Sequence, residues 1–208
     1  MRYLSGLQEY LDENYHISVF DQTLASGQTW ELHLHNHRVI KAQVVEITKY
    51  SLRVKIEGAG DEPLSKTDVK LLYPEDLSES VHQLLKIDKK VKNRRMEPIL
   101  APHMRYHIKN KSLFPLMKEK QVVHFTLLEG EVVRCIIAGF GRYEITVNLK
   151  GGIPITVLRH SVYDLRDKKG RCFLKSFQER HRDWEKSPLF VSPSPDIAPP
   201  PAGGKEKF

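Results

Sequence analysis

The sequence predicts a mainly β protein with flanking helices, made of two tandem copies of one small unit. Each unit is a short helix followed by a five-stranded, bent antiparallel sheet or open barrel. Three observations predict this. Residues 28–72 align without a gap on residues 121–165, at an offset of ninety-three positions. Eight pairs are identical: Gln28/Gln121, Leu34/Leu127, Val39/Val132, Tyr50/Tyr143, Val54/Val147, Gly58/Gly151, Val69/Val162 and Leu72/Leu165. Composition alone would give roughly three. Apolar character is kept at Leu32/Phe125, Ile40/Val133, Val44/Ile137, Leu52/Ile145, Ile56/Leu149 and Leu64/Val157. Finally, both segments alternate apolar and polar residues with the period of a half-buried strand.

The elements follow in order. Tyr3, Leu7, Tyr10 and Leu11 share one face at helical spacing, which predicts a helix over 2–13. Residues 17–26 form a second short turn that leaves through Ala25-Ser26-Gly27. Trp30, Leu32 and Leu34 alternate with Glu31, His33 and His35 in the first strand, whose polar side is predicted to face solvent. Asn36-His37 turns the chain into a long strand over 38–48, followed by strands at 50–57, 62–66 and 68–72. Pro74-Glu75-Asp76 begins a helix, because proline suits the first turn and acids suit its positive end. This helix carries Leu77, Val81, Leu84 and Leu85 on one face and runs out through Lys89 to Arg95. A short helix over 111–119 leads into strands near 121–127, 131–139, 143–150, 153–158 and 161–165. An amphipathic helix over 172–186 aligns Phe173, Phe177, His181 and Trp184 as a packing stripe. The tail from Ser187 is rich in proline, serine and glycine, and is expected to be disordered.

The domain division is therefore an N-terminal helix and first unit at 1–73, a basic helical connector at 74–110, a second unit at 111–171, a C-terminal helix at 172–186 and a tail at 187–208. Charge is uneven across these pieces. Residues 1–75 hold eight Lys/Arg against eleven Asp/Glu, residues 76–120 hold eleven against five, and residues 121–171 hold eight against five. The connector and second unit are basic, and a basic surface favours polyanions. Two cysteines, Cys135 and Cys172, are too few for a disulfide framework. Met1 to Gly6 lacks the apolar run of a signal peptide, and no apolar segment is long enough to span a bilayer. A reducing cytoplasm is the expected compartment, and no membrane partner is expected.

Two stretches of the second unit sharpen the picture. Val122-Val123-His124-Phe125-Thr126-Leu127-Leu128-Glu129-Gly130-Glu131-Val132 resembles the strand–Asn-Gly turn–strand of the first Sm motif. Leu158-Arg159-His160-Ser161-Val162 resembles the Tyr-Lys-His-Ala-Ile stretch of the bacterial Hfq branch, a family of RNA chaperones. Between them, Phe140-Gly141-Arg142-Tyr143 resembles that branch's Phe-Asp-x-Phe, with Gly141 in place of the acid. The resemblance covers most of the second unit and reaches the first through the internal alignment.

It implies two Sm-like units and binding of single-stranded, U-rich RNA. In such proteins six units close into a ring through their edge strands, which implies a homotrimer with pseudo-hexameric symmetry. A monomer whose two units pair with each other is the competing arrangement. Carried over residue by residue, Tyr143 and Phe140 supply the aromatic stretch, with Tyr143 stacking a base. Arg142 reaches phosphate or base, and Arg159 and His160 contact the nucleotide. The first unit keeps weaker equivalents in Tyr50, Lys49 and Lys66, but Thr67 stands where His160 does. Aromatic stacking plus cationic backbone contacts is how single strands are held.

Two function classes follow: an RNA-binding regulator or chaperone, and a protein-interaction or scaffolding module that kept the fold and lost RNA. The acidic first unit favours the second class, and the Tyr143/Arg159/His160 set favours the first. His33, His35 and His37, with Glu31, can be read as metal ligands, but the exposed strand face is the preferred reading and no metal or other cofactor is expected. No P-loop, Gly-x-Ser-x-Gly or His-Glu-x-x-His motif occurs, and Cys135 reads as a buried, inert thiol, so no enzyme activity is expected.

Overall fold

The computed structural model describes residues 3–192. The first half contains β1 (Tyr3–Leu4), α1 (Leu7–Asn14), α2 (Val19–Ser26), β2 (Thr29–Leu34), β3 (Val39–Ile47), β4 (Ser51–Ile56), β5 (Gly60–Ser65) and β6 (Val69–Pro74). The connector holds α3 (Ser78–Leu84), β7 (Lys86–Ile87) and α4 (Lys89–Lys92). The second half contains α5 (Asn110–Lys118), β8 (Val122–Leu127), β9 (Glu131–Phe140), β10 (Glu144–Asn148), β11 (Pro154–Leu158), β12 (Val162–Asp167), α6 (Lys175–His181) and β13 (Phe190–Val191). Short 3-10 turns occupy Glu75–Leu77, Pro102–Met104, Arg159–Ser161 and Asp183–Lys186.

The protein is mainly β, and one antiparallel sheet of eleven strands organises it. Its path is β12-β8-β9-β10-β11-β6-β2-β3-β4-β5. β7 joins the start of β9, through Lys86 opposite Val132 and Ile87 opposite Glu131. The sheet is not closed: β5 ends one side and β12 the other. Each half runs in the same spatial order, with its last strand beside its first.

The offset of ninety-three recurs in detail. β2 and β8 start and end that far apart, as do β6 and β12. The pairing of β3 with β4 skips Val45, and that of β9 with β10 skips Ala138. The pairing of β2 with β6 skips Lys70, and that of β8 with β12 skips Tyr163. Each such bulge bends its strand and redirects a side chain. Loop hydrogen bonds follow suit. Lys66 N donates to Tyr50 O (2.9 Å) and Arg159 N to Tyr143 O (2.8 Å). His35 N donates to Asp68 O and Leu128 N to Ser161 O, both at 2.9 Å.

The halves meet where β11 pairs with β6, Thr156 opposite Leu72 and Val157 opposite Leu71. Alternation along β6 serves both cores. Leu72 packs in the first, with Leu32, Val54, Phe20 of α2 and Leu158 of β11. Leu71 and Tyr73 pack in the larger second core, with Phe114, Phe125, Val147 and Trp184. Burial of such side chains is worth about 1.5–3 kcal/mol each, so the seam is continuous with both cores. Elsewhere, two glycines are required by the backbone. Gly27, at φ +61, ends α2 in the left-handed conformation. Gly130, at φ +93, sits in the β8–β9 turn, where a Cβ would lie 2.7 Å from the Asp88 carbonyl.

Several expectations need correction. Tyr3–Leu4 is not helical: it pairs with Phe190–Val191, which also draws the start of the expected disordered tail into the fold. The remaining tail, 193–208, lies outside the described residues. The connector helix is broken after Leu84, because Lys86–Ile87 takes the stretch of β9 that β10 does not reach. The helix expected over 172–186 stops at His181, where Arg182 adopts φ +44. Its stripe splits: Phe173 and Trp184 are buried, while Phe177 is exposed and stacks on His181. The polar side of β2 does not face solvent, since Glu31, His33 and His35 are all buried. Cys135 and Cys172 are free and buried.

Candidate nucleic-acid interface

The β3–β4 and β9–β10 turns carry the same device. In the second half, Gly141 N donates to Glu144 O and closes the turn. Arg142 N donates to Tyr15 O (3.1 Å), tying it to the α1–α2 link. Tyr143 then projects with 58% of its surface exposed, and the Arg142 guanidinium lies 5.3 Å from its ring centroid. In the first half, Thr48 N donates to Ser51 O, Tyr50 is 72% exposed, and Lys49 Nζ lies 5.1 Å from its ring. An open aromatic face with a cation beside it can stack a base and pair a phosphate at once.

The other residues of the expected set are turned inward. Phe140 is buried against Tyr10, with ring centroids 4.7 Å apart, and Phe140 N donates to the Tyr10 hydroxyl (2.7 Å). Arg159 lies over the Phe140 ring and donates to Ile108 O (3.3 Å) and Asn110 Oδ1 (3.0 Å), pinning the approach to α5. Burial pushes its guanidinium down to about 10, against the pull of Tyr15, Glu144 and Tyr10. Its Nε is buried without a hydrogen-bond partner.

His160 Nε2 lies 2.9 Å from Val69 O, so that nitrogen carries the proton and donates across the seam. Burial and then the neighbouring Arg105 push His160 down to about 4, which leaves the ring neutral. Ser161 Oγ completes the turn by hydrogen bonding Leu158 O (2.7 Å) and Lys70 O (3.0 Å). Arg159 and His160 thus brace the chain from within, and a nucleotide contact through them does not suit this placement. The 159–161 turn abuts β6 of the same chain. In the first half, Lys66 donates to Thr48 O (2.7 Å) with its Nζ 5.9 Å from the Phe20 ring.

Sequence reasoning missed the buried charges. Glu144 is pushed up to about 7, because desolvation outweighs Arg159 and the Val19 amide. Lys70 is 1% exposed, and its ammonium bridges Glu129 and Glu131. Glu129 also accepts from Asn36 N (2.7 Å) and His37 N (3.3 Å), so the β8–β9 turn of one half is bound to the β2–β3 turn of the other. Periodicity could not flag Lys70, which occupies a bulge. On the connector side, Arg105, Tyr106, His103 and Lys175 line a cleft of about 380 Å³.

No protein-family model matches the chain, and no curated protein matches it. No helix among the described residues is long and apolar enough to cross a membrane.

Proposed function

We propose that this chain is a monomeric, cytoplasmic protein of two Sm-like units that binds single-stranded, U-rich RNA and acts by binding, not by catalysis. The observation that carries the reading is the pair of exposed cation–tyrosine turns, Lys49/Tyr50 and Arg142/Tyr143, at equivalent places in the two halves. Phe140, Arg159 and His160 serve by shaping the second turn from beneath. The monomer is favoured over the trimer because both sheet ends are blunted. Phe173 N donates to Leu165 O on the outer side of β12 (2.8 Å), and β5 carries Asp61, Glu62 and Pro63.

A labelled U-rich RNA, followed by fluorescence anisotropy at low and physiological salt, tests this. Stacking is worth about 1–3 kcal/mol per base, so Tyr143→Ala is expected to weaken binding about 5- to 150-fold with an unchanged fold. Binding should also fall steeply with salt. Equal binding by the wild type and the Tyr50→Ala/Tyr143→Ala double variant refutes the reading. The scaffold reading, supported by the internal use of Arg159 and His160, is the one adopted if no RNA binds even at low salt.

A further inference from the structure

We infer that Glu31, His33 and His82 form a binding site for a single divalent transition-metal ion, zinc or a close analogue, at the junction of β2, β6 and α3. His33 Nε2 and His82 Nε2 lie 3.3 and 2.5 Å from Glu31 Oε1. The three ligand atoms all fall within 4.8 Å of one another. Tetrahedral zinc, with bonds of about 2.0–2.1 Å to nitrogen and oxygen, needs ligand atoms about 3.3 Å apart. The His33–Glu31 separation already meets this. His82 must retreat by less than an ångström, and its side chain is 52% exposed and free to do so. That open side also gives the ion its route in and leaves a position for water.

The surroundings suit a cation. Glu31 is 1% exposed, and its ion-pair partners among the described residues are those two imidazoles alone. Lys41, the nearby ammonium, is engaged by Glu75 at 2.8 Å. Buried carboxylates need a fixed counter-charge. The remaining lone pairs are oriented by Tyr73, whose hydroxyl donates to Glu31 Oε1 (2.5 Å), and by Ser78, which donates to Oε2. The Tyr73 hydroxyl thus serves as an orienting donor beside the ion. His33 Nε2 also lies 2.7 Å from the Tyr73 hydroxyl, a hydrogen bond it exchanges for the ion. A second constellation, His37, Glu129 and Glu131, has comparable spacing, but the Lys70 ammonium occupies the place a metal would take.

The test is titration of the full-length protein with Co²⁺ alone, followed by its visible d–d absorption, then displacement with Zn²⁺. One Co²⁺ per chain with a tetrahedral or five-coordinate spectrum, displaced by zinc, is expected. His82→Ala changes a half-exposed helical side chain, so it should fold as the parent by circular dichroism. It should weaken Co²⁺ at least about tenfold, and Glu31→Gln should abolish the spectrum. Absence of stoichiometric Co²⁺ binding, or binding unchanged in folded His82→Ala, overturns the assignment. RNA titrations do not enter, so the site stands or falls apart from the nucleic-acid proposal.

Discussion

His160 makes the seam between the two halves sensitive to acid. It holds the β6 backbone at Val69 O while neutral, and its folded value of about 4 lies below the ordinary 6.5. Between those values the unfolded chain binds a proton that the folded chain refuses. Stability from this group is therefore complete above about pH 6.5 and is lost as pH falls toward 4. Each unit of difference is worth about 1.4 kcal/mol. Going from pH 7.5 to pH 5 should thus remove about 2 kcal/mol through this one ring. Glu144 works in the opposite sense over the same range, so the wild-type curve alone does not isolate the effect. The assay is urea unfolding of wild type and His160→Gln at several pH values between 7.5 and 5. Glutamine keeps an amide N–H for Val69 but cannot charge. The wild type should lose about 2 kcal/mol relative to the variant on acidification. Parallel stability curves for the two proteins would refute the argument that His160 is held neutral at the seam.

Three further outcomes follow from buried charge and backbone geometry. Glu144 retains its proton in the fold up to about pH 7, so it costs stability as pH rises from 4.5 to 7. Glu144→Gln should therefore stabilise the protein by up to about 3 kcal/mol at pH 8 and by little at pH 4.5, read from urea midpoints. Lys70→Met leaves Glu129 and Glu131 buried without their ammonium. A loss of about 3–5 kcal/mol at pH 7 is expected, partly recovered at pH 5 where a carboxyl can protonate, again by denaturant titration. Gly130→Ala places a methyl 2.7 Å from the Asp88 carbonyl at φ +93. It should lower the melting temperature, at a cost of about 1–3 kcal/mol, and loosen the β7–β9 contact in hydrogen exchange.

Much of the sheet was legible because its strands alternate: Leu32, Leu34, Phe125 and Leu127 point into cores as their period requires. The internal alignment carried the boundaries of β2, β6, β8 and β12 with it. Polar alternation misled at Glu31, His33 and His35, because solvent is not the only polar environment a strand can face. Here Ser78 and His82 of α3 cover it. The connector misled because apolar spacing at Leu84 and Leu85 suits a helix, while the demand for a partner comes from β9, far along the chain, where Lys86 pairs with Val132. Of the candidate site, Arg142 and Tyr143 are singled out through the resemblance of Phe140-Gly141-Arg142-Tyr143 to a family motif, and both stand on an exposed turn. The orientation of Arg159 and His160 could not be read, since it is set by Val69 and Asn110, residues that no local pattern joins to them.

A chain made of two similar halves has an addressing problem, since similar edges can be joined in the wrong order. The Lys70 bulge resolves it. At the positions equivalent to Lys70, Glu129 and Glu131, the other half carries Tyr163, Asn36 and Arg38. Only the β6–β11 seam within one chain unites an ammonium with two carboxylates. A β12–β5 seam between chains would bring together a phenol, an amide and a guanidinium already paired with Glu62, with no buried ammonium to bridge them. Head-to-tail joining that fails to close makes fibres. A single buried lysine thus works as a punctuation mark, distinguishing the seam within the chain from the other edges it could be confused with.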